Sequence, residues 1–378
     1  LELAAVIAAV CIGEGGLITM PFMLGGVADR FMVTSGVSGL VASLQFGSMA
    51  IIAIILSPVV NRINRRAFAL VALVLTLAAH LGAIVASEWP LFLASRAAAG
   101  VGEGALLTIG TAAAAGTPYP QRTFSLVTLG YVVMGCIVYL SLPSLFEHFG
   151  PIAVFYVLLV ICLVGSPWLF VMPNIQTVER GSEKTGADFW RPSTLILFGI
   201  ACLYMGVNTL WAFSERIAVD LGIGPHLIGI IFVVMAIVTN IGPIAASICQ
   251  RRWGYRRAIL GGVVFLSLAC AALGNALFVA MYFIAIVSLT TGLLYLVPIY
   301  RALTAVLDTS GRVAGGSIVV QTLSTAVGPF LASLALLLGG GYPMIGFYSA
   351  ALITLSGVLV WRLARKADGM SPIIPKTR

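Results

Sequence analysis

NIQTVERGSEKTGADFWRP, residues 174–192, is the longest polar stretch in a chain that is 60% hydrophobic and only 9% charged. It falls at the middle of the 378 residues, and what lies on either side of it decides the fold. A soluble globular domain has about a quarter of its residues charged, and the mean hydropathy here is +1.08. Apolar runs of roughly 18 residues or more recur from end to end, each long enough for a helix to cross about 30 Å of hydrocarbon. The composition specifies an integral membrane protein and leaves no room for a soluble domain.

Breaks at charges, prolines and glycines divide the chain into twelve candidate helices: 1–25, 34–60, 67–87, 89–116, 122–146, 150–172, 193–219, 226–250, 258–278, 281–306, 313–338 and 344–366. Six precede the polar stretch and six follow it. The expectation is an all-α membrane protein with an N-terminal six-helix bundle over 1–173, a linker over 174–192, a C-terminal six-helix bundle over 193–366 and a tail over 367–378.

The 21 lysines and arginines fix the orientation. Loops on one side, with the linker and the C-terminal tail, hold 17 of them, against Arg30 alone on the other side, while Arg96, Arg216 and Arg301 fall within spans. Basic loops stay inside, so the linker and both termini are expected in the cytoplasm, in a bacterial inner (plasma) membrane. The net charge of +8 is then a topology signal beside anionic lipid and not a nucleic-acid surface. The six cysteines all lie in apolar runs without close pairs or metal-type spacing, and read as small buried hydrophobes. No basic n-region or small-residue cleavage site marks the start, so the first apolar run reads as a retained span.

Shifted by about 190 residues, the chain loosely overlays itself. NRINRR (61–66) meets RRWGYRR (251–257), Gly39 meets Gly229, Asp29 meets Asp220, Arg122 meets Arg312, and FY at 155–156 meets FY at 347–348. Two parallel halves related by an axis along the membrane normal are one repeat design of transporters.

SPVVNRINRR (57–66) resembles the G-x-x-x-D-R-x-G-R-R loop between helices 2 and 3 of the major facilitator superfamily, keeping Arg62, Arg65 and Arg66 and departing at Ser57, Asn61 and Asn64. RAAAGVGEG (96–104) resembles that family's fourth-helix motif, an arginine followed four residues later by glycine. The resemblance covers essentially the whole chain. It implies two pseudo-symmetric six-helix bundles and alternating access, with Arg62, Arg65 and Arg66 at a gate. In place of the family's aspartate, an asparagine still caps or bonds a neighbouring helix end.

Charges at membrane depth are rare and usually face a cavity or a partner. Glu14, in CIGEGGLITMP, stands about 20 Å along the first helix at 1.5 Å per residue, near the midplane. Arg96 and Glu103, seven positions apart, lie on one face of the fourth helix but too far apart to pair directly. Each needs a partner elsewhere; the resemblance makes Glu14 the candidate for Arg96. A desolvated carboxylate takes up a proton more readily than one beside an arginine, so Glu14, Arg96 and Glu103 form a proton-coupling set in which Arg96 tunes a carboxylate. A static ion pair holding two helices is the structural alternative.

In the second half, Tyr204, Asn208, Trp211 and Glu215 follow at spacings of four, three and four, one polar and aromatic face of a helix. Tyr295 and Arg301 occur on the tenth span. With Glu14, Arg96 and Tyr131 these give the candidate solute-binding set: Glu14, Arg96, Tyr131, Tyr204, Asn208, Trp211, Tyr295 and Arg301. Glu215 with Arg216 reads as an outer gate, and Arg301 with Asp308 as an inner one. Gln45, Asn240 and Gln321 are isolated polar residues that serve more often as glue between helices. His80 is the one histidine placed as a proton relay, and no histidines group as metal ligands.

GVGEG follows no strand and no P-loop lysine motif is present, so a gradient must supply the energy, and protons suit buried carboxylates. No cofactor, enzymatic chemistry or nucleic acid is expected. The partners are a small-molecule solute, protons and the lipid bilayer, with a monomer as the default. Three functions compete. Three intramembrane arginines and a tyrosine-rich lining favour a proton-coupled transporter of a small organic anion. A midplane Glu14 and the fourth-helix motif fit a drug/proton antiporter, although LGYVVMGCIVYLSLP (129–143) lacks the Gly-Pro pair of such exporters, and VGPFLASLALLLGGG (327–341) carries something similar only in the eleventh span. A receptor or lipid-handling protein that keeps the fold without transport is the third.

Overall fold

The computed structural model describes residues 1–174, 190–307 and 312–370. Its helices, in chain order, are α1 (Glu2–Phe31), α2 (Ser35–Leu56), α3 (Arg65–Val85), α4 (Trp89–Ala115), α5 (Pro120–Phe149), α6 (Ala153–Leu169), α7 (Trp190–Asp220), α8 (Pro225–Val238), α9 (Ile241–Gly274), α10 (Val279–Leu307), α11 (Arg312–Leu337) and α12 (Tyr342–Met370). Among the described residues, ten stretches are long and apolar enough to cross a membrane. Two of these, Pro120–Leu169 and Pro225–Gly274, run for 50 residues, and each takes in two of the spans expected from sequence.

The joins inside those long stretches differ from expectation. Between α5 and α6 the chain turns through a short 3-10 segment, Gly150–Ile152, with no polar loop. RRWGYRR reads in sequence as a loop, yet helix continues on both sides of a single break at Gly254, where φ is 77° and ψ 173°. Only glycine adopts that φ without strain. A side chain there would also meet a neighbour, since a Cβ built on Gly254 lies 2.8 Å from Asp368 Oδ1.

The helices gather into two compact units. The first comprises Leu1–Arg180, Trp211–Ile237 and Thr325–Gly340. Its centre is α1, which packs on α2, α4, α5 and α6 and is buried along most of its length. A helix apolar on all sides belongs inside a bundle, and the alanines and glycines of α1 let its neighbours approach closely. Ala5, Ala9, Ile12, Leu106, Ile109 and Leu169 lie in one apolar core. The C-terminal part of α7 and α8 join this unit through rings: Phe232 meets Phe22 and Tyr139 edge-on at 5.3 Å each, and Trp211 at 5.5 Å. Such ring pairs contribute about 0.5–1.5 kcal/mol beyond the area they bury.

Helix ends without intrahelical partners are satisfied by side chains. Asn64 caps α3, its Oδ1 accepting from the Ala67 N–H at 3.2 Å. At the other end of α3, Arg30 donates to the carbonyls of Ala83 (2.6 Å), Ile84 (3.0 Å) and Ala86. A cation on the negative end of a helix is favourable, so Arg30 closes the end of a neighbouring helix.

The second unit comprises Gly181–Leu210, Val238–Ser324 and Gly341–Arg378. Within it α9 packs on α10 and α12. Tyr300 donates to Ser356 Oγ at 2.9 Å, and the Ser356 hydroxyl in turn donates to the Gly199 carbonyl at 2.6 Å, tying α10, α12 and α7 together. One device occurs once in each unit. Asn174 Oδ1 accepts from the Arg65 N–H at 3.1 Å, and Asp368 accepts from the N–H groups of Tyr255 (2.7 Å) and Arg256 (3.1 Å). Arg65 and Tyr255 are the positions that the internal repeat overlays.

Candidate functional site

Arg96 and Glu103 of α4 are both fully buried, and so are Gln45 of α2 and His80 of α3. These four side chains form one closed cluster in the first unit. Arg96 donates to Gln45 Oε1 through Nη2 at 2.8 Å and through Nε at 3.3 Å. The other end of the same amide, Gln45 Nε2, donates to Glu103 Oε2 at 2.7 Å. Only this orientation of the amide serves both charges, because Arg96 has no acceptor and an ionised Glu103 has no donor.

His80 makes a second bridge. Its Nδ1 lies 3.4 Å from Arg96 Nη1 and its Nε2 3.5 Å from Glu103 Oε1. A guanidinium requires a lone pair opposite it, so Nδ1 is the bare nitrogen and Nε2 carries the proton, which points to the carboxylate. Phe155 covers the arginine, its ring centre 5.1 Å from the guanidinium carbon. Arg96 and Glu103 are thus joined without touching, through an amide on one side and an imidazole on the other. Glu103 Oε1 makes no hydrogen bond among the described residues.

Glu14 does not pair with Arg96, contrary to the pairing expected from sequence: among the described residues the guanidinium bonds only to Gln45 and His80. The reason is helix geometry, since α2 and α3 flank α4 on the face that Arg96 presents and supply neutral partners of the right reach. Glu14 is half-buried on α1. Tyr131, expected on the same lining, is likewise half-buried on α5. α1 itself lies against the cluster at Gly16. A Cβ built there would stand 2.5 Å from Gln45 Nε2 and 2.7 Å from Glu103 Oε2, so the glycine leaves the room those two atoms occupy.

The other expected site residues are dispersed. In the second unit Tyr204 and Arg301 line a small cavity with Tyr300, Ser317 and Gln321. Arg301 is exposed, and its Nη2 donates to Gln321 Oε1 at 3.4 Å. Asn208 turns back to the Tyr204 carbonyl of its own helix at 2.8 Å. Trp211 donates through Nε1 to the Leu17 carbonyl of α1 at 3.2 Å. Tyr295, expected to line the site, instead donates its hydroxyl to the Ala258 carbonyl at 3.2 Å and packs its ring on Gly262, so it serves the contact of α9 with α10.

Of the expected gate residues, Arg216 pairs with Asp29 at 2.8 Å, stands 3.5 Å from Glu215 and donates to the Gly25 carbonyl. Arg65 is buried and holds the Val60 carbonyl at 3.2 Å and Asn61 Oδ1, so Asn61 accepts an arginine bond where the family motif has aspartate. Arg66 is exposed, and Arg62 has an interacting partner. Asp308 lies outside the described residues. Sequence alone ranks Gln45 and His80 low. The signal that could raise them is their type, a lone amide and a lone imidazole in otherwise apolar spans that must meet another polar group.

Among solved structures, the POT family transporter PepTSo matches with a TM-score of 0.75 at 11% identity over 98% of each chain. A D-xylose-proton symporter matches with a TM-score of 0.75 at 11% identity over 97% of this chain and 98% of that one. The xylose transporter XylE from E. coli, in an inward-open conformation, gives 0.75 at 11% over 96% and 95%. At this identity the likeness speaks for the fold. No curated protein matches the chain. A family model described as Major Facilitator Superfamily matches residues 5–197, about half of the chain, and the motifs and helical fold agree with it: the chain belongs to the Major Facilitator Superfamily.

Proposed function

We propose that this MFS transporter carries a small organic anion together with protons by alternating access. Its two six-helix halves, 1–173 and 193–366, move about a central site, giving twelve crossings with the linker, the tail and both termini in the cytoplasm. The observation that carries the reading is the sealed cluster: a buried arginine and a buried carboxylate linked through Gln45 and His80, with Glu103 Oε1 left without a hydrogen bond.

Ionised, Glu103 balances Arg96. Protonation of Glu103 leaves one uncompensated positive charge at depth, and the effective penalty for a buried ion is several kcal/mol. That imbalance is relieved by a second negative charge, either Glu14 or the carboxylate of an arriving solute. Proton and anion therefore favour each other's arrival, and the loaded pair adds no net charge to the carrier. His80 Nε2–H, 3.5 Å from Glu103, is the titratable donor through which the proton passes, since the nearer Gln45 amide does not titrate. Arg301 supplies the grip on the solute, because among the described residues no carboxylate pairs with it and its fork matches a carboxylate in two places. The D-xylose-proton symporter among the structural neighbours supports proton coupling on this fold.

Proton flux into proteoliposomes, followed with an internal pH dye while small carboxylates and lipophilic cations are screened, tests the reading. Flux evoked by a carboxylate and abolished in both Glu103→Gln and Glu14→Gln is expected. Flux with cations alone would replace it with the drug/proton antiporter, and binding without flux would favour a receptor.

A further inference from the structure

Between α9 and α12, within the second unit, runs an apolar groove of about 520 Å³. That volume lies within the roughly 300–1,000 Å³ of ordinary ligand sites. Ile259, Val263, Val264 and Leu268 form one wall, and Gly357 and Val358 the other. Val264, Leu268 and Val358 are strongly exposed outside a bilayer. At the end away from Trp361, Ser267 and Thr354 bond to each other at 3.2 Å, and Thr354 donates to the Ala350 carbonyl at 2.8 Å. Their polar atoms are satisfied within the wall. The groove therefore asks nothing of its occupant but hydrocarbon.

One end is different. Arg362 lines the groove there with Trp361, and the Arg256 guanidinium stacks 4.3 Å from the Trp361 ring centre. Both arginines are exposed, and neither is ion-paired with a carboxylate among the described residues. Asp368, the acid at this end, is occupied by the backbone N–H groups of Tyr255 and Arg256. Tryptophan beside arginine is the composition of a membrane interface. From Arg256 to Leu268 the helix rises about 18 Å, close to half of a hydrocarbon core about 30 Å thick. The groove is one leaflet deep, with its cationic end at the surface.

We propose that the α9–α12 groove binds one anionic phospholipid of the leaflet beside the arginine-rich break at Gly254, its phosphate held by Arg256 and Arg362 and one acyl chain lying along Val264 and Leu268. Charge complementarity selects this occupant. A guanidinium fork matches phosphate oxygens, and two of them beside an otherwise apolar slot discriminate a headgroup of net negative charge from a zwitterionic one. A purely apolar helix from another protein would cover the slot but would leave both arginines without a counter-charge.

The test is native mass spectrometry of the detergent-purified full chain with equimolar phosphatidylglycerol and phosphatidylcholine of the same acyl composition. One phosphatidylglycerol retained at least about fivefold over phosphatidylcholine is expected. An Arg256→Gln/Arg362→Gln double variant should lose that preference, and Val264→Trp, which fills the slot and leaves both charges, should lose retention of either lipid. Elution as a monodisperse peak shows that each variant is folded. Equal retention of the two lipids by the parent chain, or an undiminished preference in the double variant, would overturn the proposal. Unchanged retention in Val264→Trp would do so as well, by placing the lipid elsewhere.

Discussion

Arg96 and Arg301 are both arginines inside apolar helices, and the structure treats them in opposite ways. Arg96 is fully buried, with its donors directed to Gln45 and His80 and a phenyl ring over its face. Arg301 is exposed beside a small cavity and holds one long bond to Gln321. A charge committed on every side belongs to the internal balance of the protein, whereas one with free capacity is available to something that arrives. Arg96 should therefore matter first to folding, and Arg301 first to the solute.

The sharpest way to break this contrast is to exchange the outcomes. Arg96→Ala strands Glu103 and is expected to destabilise by about 3–5 kcal/mol, the range for removing one partner of a buried ion pair, read as thermal unfolding in detergent. Lysine should not rescue it, since a point charge on a flexible stem cannot serve both Gln45 and His80. Arg301→Ala should unfold within about 0.5 kcal/mol of the parent, as exposed substitutions do. Its carboxylate-driven proton flux should fall by about tenfold or more, equivalent to roughly 1.4 kcal/mol. An Arg301 variant that loses stability as Arg96→Ala does would dissolve the distinction.

Two smaller effects sharpen it. Gly16→Ala places a methyl against the ends of the buried Gln45 and Glu103 side chains, so the bond between them must shift. Flux is expected to fall roughly fivefold, or about 1 kcal/mol, and stability by no more than the ~1.5–3 kcal/mol of one hydrogen bond to a charge; a stability loss with unchanged flux would show that α1 merely packs there. Arg216 stands between the two extremes, mostly buried against a largely exposed Asp29. Asp29→Asn should change stability by at most about 1 kcal/mol and weaken in salt titration. A larger, salt-insensitive change would move Arg216 to the committed class.

Much of the fold is plain in the sequence because a bilayer imposes a length and a polarity that single residues betray. Glu14, Arg96 and Glu103 stand out for the same reason, as charges with no place in hydrocarbon. Which helix answers each of them is not written locally. Periodicity puts Arg96 and Glu103 on one face of α4, but Gln45 lies 58 positions from Glu103 and meets it only through the packing of α2 on α4. Glu14 is the chemically obvious partner, and a neutral amide takes the position. Local rules fail at RRWGYRR too, where four arginines read as a loop. A glycine break needs only one residue, and its carboxylate cap comes from Asp368, in a segment that reads as a solvated tail.

That cap bears on the order in which the molecule is made. The N–H of Arg65 waits 109 residues for Asn174, and the N–H of Tyr255 waits 113 for Asp368. A ribosome extends a chain by about 5–20 residues per second, so for several seconds after synthesis each of these helix starts is inserted but unfinished. Completion comes only when Asn174, just past α6, arrives in the one case, and the last turns of α12 in the other. Each of these helix starts is in this sense tied off from far downstream, and a nascent chain stalled before residue 368 would carry its defect more than a hundred residues upstream, at the break beside Gly254.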